Sequence, residues 1–497
     1  MYNEIGQLVE RLGTRRAEPI LLIGDYMLDE YVYGDTERIS PEAPVPVLKE
    51  VERDSRLGGA GSVGANLCSL GATAFCAGVI GRDPAGEKIL QMLADLGADT
   101  SALIVSETVR STVKQRLIGL AQHRIPQQLL RVDMEDGRNY PESLLAQLRE
   151  RIGPLLDRVR VVAVEDYDKG LLGNGQMMDW LTAETRRRNI PVLVDPARLK
   201  DYTRYRGATV ITPNRVEAGL AAGIDIRTMD DAEAVGKTLR EKFAVDSVVL
   251  TLDRDGIFIS NGQKCEHIPT RPREVFDNTG AGDVVLAALA VGLAEGLDLR
   301  NASILANVGG GWEVEQAGAV PITREQLIFE LLEQNRRHTG KLVDRKQLLR
   351  EIELLRKAGK RIAFTNGCFD LLHPGHVSYL EFAREQGDVL VVGMNSDKSV
   401  QSIKGPKRPL IGQLDRARML AALAAVDYVI IFDDPSVIDL VRQVRPEVLV
   451  KGQDYTVEGV VGHEFVLSYG GQVALAPIEH QYSTSKIIQT IIERSSE

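Results

Sequence analysis

The sequence predicts an α/β protein in which two different, mostly parallel sheet folds are joined end to end. Two observations carry this. Short apolar runs ending in Asp, Asn, Gly or Pro alternate with helix-like amphipathic stretches, the pattern of a sheet covered by helices on both faces. The alternation is then interrupted by the charged helical stretch 323–337, followed by His-Thr-Gly-Lys, before it starts again. The boundary is expected within 320–343, with residues 1–320 as one domain, 321–343 as a helical linker and 344–497 as the second domain.

Taken in order, segments 19–24, 159–165, 191–195, 208–212 and 247–252 read as buried strands of the first domain. Segments 30–50 and 108–132 are extended and more polar, and read as a small β-flap over a site. In the second domain a helix (344–358) and a strand (361–365) are followed by a helix (377–386) and strands at 389–394, 428–432 and 447–450. There is no internal repeat and no low-complexity tract.

Composition excludes several classes. The 497 residues are 44% hydrophobic and 26% charged, which argues against disorder and fibrous repeats. At about 150 residues per domain, the length suits three domains or two larger α/β ones. A net charge of −10 argues against nucleic acid or an anionic membrane as the main partner. Cys68, Cys76, Cys265 and Cys368 form no C-x-x-C pair and no disulfide framework. The acidic, amphipathic N-terminus lacks a secretory pattern, and the apolar run 284–294 is too short for a bilayer. A cytoplasmic, reduced protein is expected.

The first chemical motif is Asp277-Asn-Thr-Gly-Ala-Gly-Asp283, ahead of the helix-like run 284–293. Gly280, Ala281 and Gly282 can turn sharply and aim backbone N–H groups at one point, at the positive end of a helix dipole. That is an anion cradle. Asp283 can accept a hydroxyl proton while the cradle stabilises a phosphoryl group in transfer. As a bare G-x-G-D, the same residues would be an N-cap and a turn. The whole heptapeptide resembles the second signature of the ribokinase-like (PfkB) sugar kinases, with Asn278 replacing a more typical Thr or Val.

Other segments follow in that family's order, and the resemblance covers about the first two-thirds of the chain. Gly58-Gly-Ala-Gly-Ser-Val-Gly-Ala-Asn66 resembles the substrate-side glycine segment, which implies that Gly59 and Asn66 meet the sugar. Asp25 and Asp29 resemble the carboxylates that grip sugar hydroxyls, or are strand-end turn residues. Asn214-Arg215-Val216-Glu217 matches N-x-x-E, whose spacing is read as two oxygen ligands on one helical face, suiting Mg²⁺ held through water and phosphate. Thr251-Leu-Asp-Arg-Asp-Gly256 stands where the nucleotide-binding T-x-G-x-x-G belongs. Thr251 and Gly256 match, and Asp253 departs from the glycine. Asn307 is carried over as a residue of the adenine pocket.

The second motif is Asn366-Gly-Cys-Phe-Asp-Leu-Leu-His-Pro-Gly-His376. Pro374 suits a first helical turn and Gly375 lets a phosphate approach. Two histidines three apart could serve zinc, but only Cys368 is near, and zinc needs further ligands. The segment Gly367–Leu380 resembles the H-x-G-H nucleotidyltransferases of the cytidylyltransferase-like group, and this resemblance spans residues 344 onward. It implies attack by a phosphate oxygen on the α-phosphate of a nucleoside triphosphate, with His373, His376 and the helix tip stabilising charge. Gly367, Cys368, Phe369, Lys404, Arg416 and Lys451 are the implied nucleotide-binding residues. Lys407-Arg408 lie in the same Gly/Pro loop as Lys404. Ser483 and Thr484 in Tyr482-Ser-Thr-Ser-Lys resemble a phosphate-binding helix start, or are an N-cap.

The implied architecture is a ribokinase-like three-layer sandwich with a β-flap, followed by a Rossmann-like H-x-G-H domain. Together, and with Pro41-Glu-Ala-Pro-Val-Pro46 in the flap, the chain resembles the family of bifunctional heptose 7-phosphate kinases/heptose 1-phosphate adenylyltransferases of Gram-negative bacteria. That resemblance implies ATP and heptose phosphates as substrates, Mg²⁺ as cofactor and ADP-heptose for the lipopolysaccharide inner core as product. The flap implies a homo-oligomer. The residues alone leave open a kinase/cytidylyltransferase acting on another sugar or polyol, and a nucleotide-binding sensor without turnover.

Overall fold

The computed structural model describes residues 5, 8–9, 11–13, 18–120, 126–136, 139–173, 175–271, 280–316, 318–434 and 436–477. The chain divides into two compact units, Thr14–Leu327 and Ile328–Glu497 with Met1–Gly13.

Among the described residues, the first unit is built on a nine-stranded sheet. Its order is Cys265–Ile268, Ile257–Ser260, Ser247–Thr251, Val210–Ile211, Val192–Asp195, Val161–Glu165, Ile20–Gly24, Ala74–Gly81, Asp99–Ser106. The strands from Ser247–Thr251 onward run parallel, and the two edge strands before it are antiparallel. Parallel strands are apolar throughout because helices cover both faces, and Ile20–Gly24 and Val161–Glu165 are buried at every position. One face packs Leu21, Ile23, Val162 and Val164 against Leu148, Leu181 and Leu239. The Ala281–Ala294 helix is apolar all round and buried along most of its length. Ala74–Gly81, Asp99–Ser106 and the antiparallel pair are strands that the sequence reading did not mark.

The flap is larger than expected. It is a four-stranded sheet in the order Pro46–Gly59, Tyr26–Ile39, Thr112–Leu120, Gln127–Met134. Tyr26–Ile39 begins one residue after Ile20–Gly24, so its first half is buried and carries no polar signature of a flap.

Among the described residues, the second unit has a parallel five-stranded sheet in the order Tyr428–Phe432, Val389–Asn395, Ile362–Gly367, Val448–Gly452, Gln472–Ala476. Ile362–Gly367 is central, with the next strand in sequence on one side and a later one on the other. Ligands of such sheets bind at the carboxyl ends of the strands where the order reverses. In the first unit the same reversal occurs around Ile20–Gly24.

Candidate active sites

The first site lies at the carboxyl ends of Ile20–Gly24, Val161–Glu165 and Val192–Asp195. Asp25 is 4% exposed. Its Oδ2 accepts from the backbone N–H groups of Tyr167 (2.9 Å) and Lys169 (3.1 Å), while Oδ1 is enclosed with no hydrogen-bond partner among the described residues. Asp29, on the flap, accepts from Arg116 Nη1 at 2.7 Å. Gly59 precedes the Ala60–Ser69 helix, whose first N–H donates to the Asp25 carbonyl (3.1 Å).

Gly280 precedes the Ala281–Ala294 helix at φ 90°, a left-handed value that favours glycine. Gly282 borders the Asp195 carboxylate, and Asp283, in the first turn, is buried. Burial raises the Asp283 carboxyl to about 7; Asp29 adds to the rise, while Ser62 and Lys114 favour the ionised form. Asp25 is likewise pushed to about 7, by burial and then by Asp166. Glu165 and Asp195 are adjacent across the sheet and both lie well above the carboxylate range, chiefly through burial. Asp277, Asn278 and Thr279 lie outside the described residues.

The N-x-x-E segment has a more local explanation than the spacing suggested. Asn214 stands before the Arg215–Ala222 helix, not within it, and forms a capping box with Glu217. Asn214 Oδ1 accepts from the N–H groups of Val216 and Glu217 (both 3.0 Å), and Glu217 Oε2 accepts from the Asn214 N–H (2.9 Å). Burial raises the Glu217 carboxyl, and its charge in turn raises Asp195, so the box borders the buried carboxylates. Val216 is exposed. Thr251 bridges to Asn214, bringing together the two segments expected to meet nucleotide.

At Gly256, φ is 89° and a Cβ would lie 2.2 Å from the Ile268 carbonyl, so only glycine fits. Asp253 also has a positive φ, 51°, where the family's glycine would be. Arg215 holds this loop by pairing with Asp253 (3.1 Å) and Asp255 (2.6 Å).

Two expected ligand contacts have internal partners instead. Asn66 Nδ2 donates to Ser62 O (3.0 Å) and its Oδ1 accepts from Ile322 N (3.1 Å). Asn307 Nδ2 donates to Pro269 O (3.1 Å). The sequence reading missed Ser62, Lys114, Arg116, Glu165, Tyr167 and Asp195. Ser62 lay within the quoted glycine segment, and Lys114 and Arg116 alternate along a flap strand.

The second site surrounds the end of Ile362–Gly367. His373 precedes the Pro374–Glu385 helix, and His376 is in its first turn. Their rings stack at 3.9 Å between centroids, with Phe369 5.3 Å from His376. Both imidazoles are pulled below the usual range, His376 to about 4, by burial and then by His373 and Lys404. Both are therefore neutral near pH 7, and among the described residues neither buried Nδ1 has a hydrogen-bond partner.

Lys451 Nζ donates to the Asn366 carbonyl (2.8 Å), and burial pulls it down to about 8. The charges of Lys404 and Lys451 both act on Cys368, which follows Gly367. Arg416 departs from its expected role. It is completely buried and donates to Ile411 O (2.9 Å), Cys368 O and Asp397 (2.7 Å), so it braces the loop from behind. Arg408 likewise pairs with buried Asp370 (2.6 Å). Ser483 and Thr484 lie outside the described residues.

Among the described residues, no group of three or more His, Cys, Asp or Glu side chains is arranged to hold a metal ion. No helix among them is long and apolar enough to cross a membrane.

Residues 171–325 match the pfkB family carbohydrate kinases and residues 364–490 the cytidylyltransferase-like family. The bifunctional protein HldE of Trichlorobacter lovleyi is 42% identical over 492 residues, 99% of this chain and 98% of the relative. That of Geobacter sulfurreducens is 42% identical over 479 residues, 96% of each. Phosphofructokinase-2 from Escherichia coli, solved with potassium, superposes with a TM-score of 0.54 at 17% identity, over 64% of this chain and 100% of its own. Ribokinase from Arabidopsis thaliana, complexed with ribose and ATP, gives 0.50 at 17% identity, over 63% and 99%. These two likenesses establish the fold of the first unit.

Proposed function

The chain belongs to the family of bifunctional HldE proteins, and from that premise we propose how its two sites divide the work. It is a carbohydrate kinase fused to a nucleotidyltransferase. The kinase phosphorylates heptose 7-phosphate at the anomeric hydroxyl. A separate phosphatase then removes the 7-phosphate, and the second unit transfers AMP from ATP to heptose 1-phosphate, giving ADP-heptose and pyrophosphate for the lipopolysaccharide inner core.

In the kinase, Asp283 in its ionised form accepts the anomeric proton as the sugar oxygen bonds to the γ-phosphorus and ADP leaves. The first turn of the Ala281–Ala294 helix offers its N–H groups to the transferring phosphoryl. Asp25 and Asp29 grip sugar hydroxyls, and Thr251, Gly256 and the Asn214–Glu217 turn border the nucleotide. Mg²⁺ fits this donor set, because it binds through one or two carboxylates, water and substrate phosphates rather than a protein cage. Asn214 and Glu217 would hold it through water, and it would neutralise phosphate charge.

In the transferase, an oxygen of the sugar 1-phosphate attacks the α-phosphorus and pyrophosphate leaves. That oxygen is already ionised, so the protein supplies alignment and charge stabilisation. Neutral His373 and His376 do this as N–H donors, beside Lys404 and Lys451. We place both reactions in the cytoplasm, where ATP is supplied. Self-association through the flap is supported by its exposed Ile39, Val51 and Leu130.

The observation that carries this reading is the pairing of a buried Asp283 at a helix tip with a stacked His373/His376 pair in a second unit. Product analysis with ATP, Mg²⁺ and a panel of sugar phosphates tests it. Exclusive use of CTP with heptose 1-phosphate would remove the adenylyl assignment.

A further inference from the structure

The kinase site has a cationic side that its motifs do not account for. Residues two apart on a strand share a face, and the flap register sets Asp29 beside Arg56 on one neighbouring strand and Lys114 on the other. Tyr31 lies at the middle of this face, with the guanidinium groups of Arg56 and Arg116 at 4.9 and 5.1 Å from its ring centroid. Arg56 pairs with Asp54 and Arg116 with Asp29.

Lys114 differs from these arginines. It is half-buried, with Nζ 4.4 Å from the centroid of the Tyr167 ring, and among the described residues it has no ion-pair partner. Burial holds its ammonium below the ordinary lysine range. Its charge favours ionised Asp283, so the two share one space. A partly desolvated ammonium resting on an aromatic face is held in place but incompletely compensated. A phosphate dianion would complete it with charge-assisted hydrogen bonds.

We propose that Lys114 is the counter-charge for the phosphate the sugar substrate already carries, and so the residue by which the kinase selects a phosphorylated sugar over a free one. This rests on the assignment of a sugar phosphate as acceptor. The side of approach identifies the phosphate. Thr251 ends a strand beyond Val192–Asp195 in the sheet order, and Asn214 and Gly256 lie in the loops beside it, whereas the flap grows from Ile20–Gly24 on the opposite side. Nucleotide therefore enters from one half of the sheet and the flap covers the other.

The test is steady-state kinetics of the full-length protein and its Lys114→Met and Lys114→Arg variants. The substrates are heptose 7-phosphate and the same heptose without phosphate. Losing one charge-assisted contact should raise the KM for heptose 7-phosphate in Lys114→Met by about 10- to 100-fold. The KM for ATP should stay within about twofold, and kcat/KM for the free heptose should fall far less than that for heptose 7-phosphate, only by the smaller ionised fraction of Asp283 once the Lys114 charge is gone. Lys114→Arg should recover much of the preference. An equal fall in kcat/KM for both sugars, or a raised KM for ATP, would assign Lys114 to the γ-phosphoryl or to structure and overturn the proposal. If wild type phosphorylates neither sugar, the acceptor assignment itself fails. Wild-type turnover with an undiminished preference in Lys114→Met sinks this inference alone.

Discussion

At Asp283 and Asp25 the chemical tuning comes mainly from the loss of water. Both carboxyls titrate at about 7, because burial disfavours the ionised form. A general base has to be ionised to accept a proton, so kcat/KM of the kinase should rise with pH through about 7 and level off above it. Asp283→Asn should abolish that rise and lower kinase turnover by about 100- to 10,000-fold. A flat wild-type profile between pH 6 and 8 would remove Asp283 from this role. The same raised values bear on stability. The native state holds protons that the unfolded chain releases above its ordinary carboxyl pKa, so the empty kinase unit should lose stability as pH rises from about 4 to 7. His376 has the opposite sign. Its native value of about 4 lies below the unfolded value of about 6.5, so its contribution is lost as pH falls through that interval. An NMR titration of His376 ring protons should show no protonation above about pH 5, and a midpoint near 6.5 would contradict the buried, stacked geometry.

At the scale of single elements, the Arg215–Ala222 helix shows how one pattern can serve two ends. N-x-x-E reads as a pair of ligands, and the same spacing closes a capping box, since both need oxygens three residues apart at a helix start. Asn214→Ala should therefore cost about 1 kcal/mol of stability apart from any effect on nucleotide binding. A thermal melt without ligand checks this, and an unchanged midpoint would mean the cap contributes nothing. Asp253 is a related case. The motif predicts glycine there, and the loop does keep the left-handed φ that favours glycine, while Arg215 pairs with the aspartate that replaced it. The resemblance implied ligand contacts for Asn66, Asn307 and Arg416, but hydrogen bonds to Ile322, Pro269 and Ile411 engage them internally. A single chain position does not reveal which distant backbone group will claim a side chain.

At the scale of the molecule, Asp283 and His376 belong to different units, each with its own sheet and apolar core. His376→Ala should therefore suppress adenylyl transfer while kinase turnover stays within about twofold of wild type, and Asp283→Asn should do the reverse. Loss of both activities in either folded variant would refute the two-site arrangement. The alternation of apolar strands and helices, the glycine turn before Asp283 and the His373–His376 spacing were legible along the chain, because each is set by neighbours a few residues away. The full flap was not, since Tyr26–Ile39 starts as a buried strand indistinguishable from the sheet it leaves. Nor were Lys114, Glu165 and Tyr167. By itself, then, the sequence determined two α/β units and the two small-residue turns that open the Ala281–Ala294 and Pro374–Glu385 helices. Only tertiary structure decided which carboxylates lose water, which histidines stay neutral and which flap lysine has no ion-pair partner among the described residues. Burial and Coulomb interaction depend on distances between segments far apart in the chain, and folding alone sets those distances.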